Sequence, residues 1–70
     1  MNEEERRALQ QVVEQIDVLT NQLHTIWREL KASTNDNGIE RNDAMLSIIV
    51  ARGNLLNARY AVQSGIKRLE

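Results

Sequence analysis

The chain has 70 residues, with nine Lys and Arg against ten Asp and Glu, a net charge of −1 at pH 7, one histidine, and neither cysteine nor proline. That length makes one small domain at most, and a domain of this size buries too little surface to be robust without a staple or a partner. The missing cysteines exclude disulfides and thiolate metal sites, and a near-neutral chain lacks the basic excess with which nucleic-acid binders displace phosphate counterions.

Phenylalanine is absent and the only aromatics are Trp27 and Tyr60. Few β-formers and many Leu, Ala, Gln, Glu and Arg describe an all-helical protein. The opening "MNEEERRALQQ" is charged and has no apolar signal-peptide core. No apolar run approaches the roughly 20 residues that cross a bilayer. A cytoplasmic location is the expectation, in keeping with the absence of cysteine.

The first helix is predicted over about residues 3–33. Asn2 can cap it, with Glu5 three residues on completing a capping box. Glu3 and Glu4 suit the positive end of the dipole. Leu9, Val12, Ile16, Leu19, Leu23, Ile26 and Leu30 alternate three and four apart, an unbroken heptad seam. Val13 and Trp27 widen the stripe on one flank.

The stretch "ASTNDNG", Ala32 to Gly38, is the only strong punctuation. It predicts a turn over 34–38. Aligning Gly38 with the glycine of a calcium-binding loop puts Ser33 at the first ligand and Ala44 at the last, so the bidentate glutamate is missing and the match fails.

The second helix is predicted over about 39–69, starting near Asn37 or Gly38 with Glu40 as its acid and closing on Lys67 and Arg68. Written in sevens it reads AMLSIIV, ARGNLLN, ARYAVQS, GIKRLE. Ala44, Ala51, Ala58 and Gly65 form one column, and Ile48, Leu55, Val62 and Leu69 another. An antiparallel hairpin then sets Leu30 against Ala44, Ile26 against Ile48, Leu23 against Ala51, Leu19 against Leu55, and Ile16 against Ala58. Each small residue of the second helix faces a large one of the first, and the centre of this pairing falls inside the turn. The predicted fold is therefore all-α: an antiparallel two-helix hairpin with heptad packing, dimerising into a four-helix bundle. One long rod, with chains pairing in trans, is the alternative that the turn argues against.

In that register Met45, Arg52, Arg59 and Ile66 flank the seam, opposite Trp27, Thr20, Val13 and Arg6. The arginine stems can cover apolar surface, and Asp17, one turn from Val13 and Thr20, is the nearest counter-charge. Val13, Trp27, Met45, Ile49, Leu56, Tyr60 and Ile66 fall on one side as an apolar patch larger than a monomer normally leaves in water. With Arg52 and Arg59 they are the candidate partner or dimer interface. Its expected occupant is a second copy, giving a homodimer, or a helix of another protein.

His24 is read as a surface residue on the outer face, because no second His or Cys stands at ligand spacing. Arg6, Arg7, Lys67 and Arg68 make a basic end that Glu3, Glu4, Glu5 and Glu70 largely cancel. No Gly-rich phosphate loop, serine beside a base or paired carboxylate is visible. Neither a catalytic site, a cofactor nor a metal is expected, and nucleic acid and membrane are not expected partners. The expected function is that of a small non-enzymatic protein–protein interaction module: an adaptor, small chaperone or inhibitor. The alternation of large and small layers is similar to that of Rop, a plasmid RNA-binding regulator, in architecture alone. The rival that this resemblance suggests is a dimeric nucleic-acid-binding regulator using Gln10, Gln11, Gln15, Asn21, His24 and Arg28.

Overall fold

The structure is a computed structural model that describes residues 3–32 and 39–69, with the side chains of the second helix from residue 42 onward. It contains two helices, α1 (Glu3–Ala32) and α2 (Ile39–Leu69). The turn expected over 34–38, the caps assigned to Asn2 and to Asn37 or Gly38, and Glu70 lie outside the described residues, as does the side chain of Glu40. α1 opens on Glu3, Glu4 and Glu5 and ends on Lys31, and α2 ends on Lys67 and Arg68. Both patterns complement the helix dipole. Arg6 Nη2 donates to Glu3 Oε1 at 3.0 Å, tying down the first turn of α1.

Helices of 30 and 31 residues are each about 45 Å long at the α-helical rise. The whole molecule measures 53 × 14 × 11 Å, so the helices lie side by side and the end-to-end rod is excluded. The six residues between them reach about 20 Å at full extension. That is too short to carry the chain back to the start of a parallel partner, so the pair is antiparallel.

Burial shows which sides meet. On α1 the shielded line is Leu9, Val13, Ile16, Thr20, Leu23, Trp27 and Leu30; on α2 it is Met45, Ile48, Arg52, Leu55, Arg59, Val62 and Ile66. Val12, Leu19 and Ile26, expected in the seam, are exposed. So are Ala44 and Ala58. Each helix is rotated by one flank from the expected packing.

The reason lies in side-chain size. Leu9, Ile16, Leu23 and Leu30 belong to either seam, as do Ile48, Leu55 and Val62, so the rotation turns on their neighbours. Two helices that have only each other bury more surface through long residues such as Trp27, Met45 and the arginine stems than through a column of alanines. Thr20 fits this dry position because its hydroxyl bonds back to the Ile16 carbonyl at 2.8 Å, which pairs its own buried donor.

The resulting core is thin. Ile16 and Ile66 are the only buried hydrophobic side chains among the described residues, and no side chain is fully enclosed.

Ile16→Ala should lower stability by about 2 kcal/mol in urea melts, the low end for core isoleucines because the seam is open to collapse. Gly53 stands mid-helix without positive φ, and an added Cβ would meet nothing within 4 Å. Gly53→Ala should therefore raise the urea midpoint, by about 0.5–1 kcal/mol of stability.

Candidate interaction surface

The seam divides the hairpin into two long faces. One is identified by a groove lined by Gln10, Val13 and Glu14 of α1 together with Tyr60, Gln63 and Lys67 of α2. It continues along Asp17, His24 and Lys31 of α1 and along Leu56 and Ile49 of α2, one and two heptads from Gln63. The opposite face holds Val12, Leu19 and Ile26 of α1 beside Ala44, Ala51 and Ala58 of α2.

The first face is charged. Asp17 Oδ1 stands 2.7 Å from Arg59 Nε, joining the two helices, with both side chains more than a third exposed. The Arg59 N–H does not point along that vector, which makes the contact a close ion pair rather than an in-line hydrogen bond. Antiparallel packing carries the same pairing one heptad along, from Arg59 to Arg52 and from Asp17 to His24. No acid stands there. Arg52 accordingly has no ion-pair partner among the described residues, and its Nε is buried without a hydrogen bond.

His24 is half-buried, contrary to the outer-face placement read from sequence. Its ring stacks on Trp27 at 6.1 Å between centroids with an interplanar angle of 16°. Lys31 Nζ lies 5.0 Å from the centre of the indole ring. The three side chains form a ladder along α1, in which the lysine adds a cation–π attraction. Residues three and four apart on a helix are neighbours, which is why His24, Trp27 and Lys31 meet.

Of the nine candidate interface residues, Val13, Tyr60 and Ile66 line one groove, and the nine differ in how far the hairpin itself covers them. Val13, Trp27, Met45, Arg52 and Arg59 are half-buried and Ile66 is buried, all within the contact between α1 and α2. Ile49, Leu56 and Tyr60 remain exposed. Val12, Leu19 and Ile26 were assigned to the interior by the sequence reading, yet they stand free on the opposite face. The signal that could have separated them is the size rule above, since only the other choice gives the hairpin long residues to bury.

Among the described residues no three His, Cys, Asp or Glu gather as a metal could require. No described helix is long and apolar enough to cross a membrane.

Asp17→Asn should cost less than about 1 kcal/mol, because both partners are well exposed to solvent. The difference from the native chain should shrink further in urea melts at 1 M salt, where the Debye length is about 3 Å.

The chain matches no protein-family model, no curated protein and no solved structure.

Proposed function

We propose that the chain is a small non-enzymatic interaction module whose apolar helix faces associate with another helical surface, in the first place by dimerising into a four-helix bundle. An adaptor, a small chaperone or an inhibitor would be built in this way, and a partner helix could take the place of the second copy. The observation that carries the reading is the imbalance between interior and surface. Among the described residues two hydrophobic side chains are buried, while Val12, Val18, Leu19, Ile26, Leu46, Ile49, Val50, Leu56, Tyr60 and Leu69 are exposed. They recur at helical spacing on both helices. α2 in particular carries apolar residues on nearly every side, the pattern of a helix that is covered all round.

The electrostatics agree. At a net charge of −1 the chain has little to offer a phosphate backbone. Its cations Arg59 and Lys31 are engaged with Asp17 and Trp27.

Light scattering over a dilution series from about millimolar to sub-micromolar, paired with thermal melts, tests the proposal. The expected result is twice the 8.0 kDa chain mass at the concentrated end, with a melting temperature that rises with concentration, as linkage to association requires. An 8.0 kDa species at every concentration, with an unchanging melt, would overturn self-association. Binding to RNA or DNA with a steep negative salt slope would favour the regulator instead.

A further inference from the structure

We infer that the uncharged face is the dimer face, with Val12, Leu19 and Ile26 of each copy seated on Gly65, Ala58 and Ala51 of the other. This inference rests on the interaction-module reading and adds which surface is used and in what arrangement.

The first argument is area. A compact monomer of 8.0 kDa is expected to expose about 4,450 Å². The hairpin exposes 5573 Å², roughly 1,100 Å² more. A standard stable interface removes about 800 Å² from each partner, so the excess is of the size that one such contact removes.

Charge then selects the face. The groove side presents Glu14, Asp17, His24, Lys31 and Lys67, and a second copy laid there would desolvate them. On the other side the apolar stripe of α1 is bordered by Gln15 and Gln22, and the alanine stripe of α2 by Ser47 and Asn54. Between Val12 and Ile26, and between Ala44 and Ala58, that side carries no ionisable group. Depletion of charge is what marks the core of an interface.

Shape selects the occupant. On this face the stripe of α1 recurs every seven positions and is large; that of α2 recurs every seven positions and is small. A two-fold axis running along the hairpin lays α1 of each copy over α2 of its partner, antiparallel to it. Each layer then has a large residue over a small one, and the same patch serves both copies, as an isologous contact requires. Leu19, 49% exposed in the single hairpin, would fill the space in front of Ala58, which the Asp17–Arg59 register places at its height. An unrelated helix could cover the α1 stripe, but only a chain with both stripes at this pitch satisfies both helices at once.

The test is the dimer dissociation constant by analytical ultracentrifugation, with helicity followed by circular dichroism. Leu19→Asp should weaken association about 100-fold or more, because it buries an unpaired charge in the contact. Leu56→Asp, on the groove side, should change it less than about threefold. Leu19→Ala and Ala58→Leu should each weaken it about tenfold through a void or a clash. Mixing those two single variants should restore near-native affinity, because a large residue of one chain then meets a small residue of the other. The mixing experiment decides if Leu19→Asp loses its helicity. A dimer broken by Leu56→Asp but not by Leu19→Asp, or single variants whose mixture binds no more tightly than either alone, would overturn this face while leaving the interaction module standing. A native chain that never dimerises would overturn both the face and the self-association beneath it.

Discussion

Two helices can share only one line of contact, and every other feature of this molecule follows from that limit. Each helix has one neighbour, so a single stripe of each is shielded and the rest faces water. The chain meets the limit by placing its longest side chains along the shared line. Trp27, Met45 and the stems of Arg52 and Arg59 reach across a gap that alanines would leave open. The same choice brings polar atoms into the seam, and the chain resolves them locally. Thr20 bonds back to its own helix, and Arg59 meets Asp17 at the rim. Arg52 Nε and Trp27 Nε1, by contrast, stay buried without a hydrogen bond: the heptad that supplies Asp17 to Arg59 supplies His24 to Arg52, and an imidazole cannot do the work of a carboxylate there.

The hairpin was legible because its signals are redundant. An unbroken three–four alternation along α1, a column of small residues along α2 and a cluster of turn-forming residues between them all require the same chain reversal. The rotation of each helix was not legible from those signals. Leu9, Ile16, Leu23 and Leu30 fit a seam with Val12, Leu19 and Ile26 as well as one with Val13, Thr20 and Trp27, and the periodicity of the sequence is the same in both cases. What separates the two is how much surface each buries against one neighbour. A polar threonine and two arginines in the second seam also disguise it, since their burial depends on a back-bonded hydroxyl and on aliphatic stems rather than on residue type. His24 was misplaced for a related reason: its surroundings are set by Trp27 one turn along, and that contact matters only once α1 is turned to bring Trp27 inward.

That ambiguity has a physical meaning. A helix with two overlapping heptads that share a line is patterned for two neighbours, one on each side of the shared residues. α1 and α2 both have this form. The hairpin uses the long-residue side of each and leaves the other side of each on the same face. The column of small residues read from the sequence therefore stands at the edge of the hairpin beside Val12, Leu19 and Ile26, while Ile16, Leu23 and Leu30, its expected partners, face the long residues of α2.

Charge reinforces the division. Asp17, His24 and Lys31 follow one another at intervals of seven on one flank of α1, while Val12, Leu19 and Ile26 follow at the same interval on the other. A second layer of helices approaching the charged flank would strip water from the Asp17–Arg59 ion pair and from the cation–π ladder along α1. One approaching the uncharged flank meets only methyl groups, amides and a hydroxyl, and its arrival would complete the burial that the two-helix contact leaves unfinished. In the proposed dimer the ion pair would lie on the side that stays in water, and the alanines on the side where helices come close. A second copy would meet both stripes at once, with Leu19 of one chain on Ala58 of the other, whereas one helix from an unrelated protein could match the large stripe or the small one but not both.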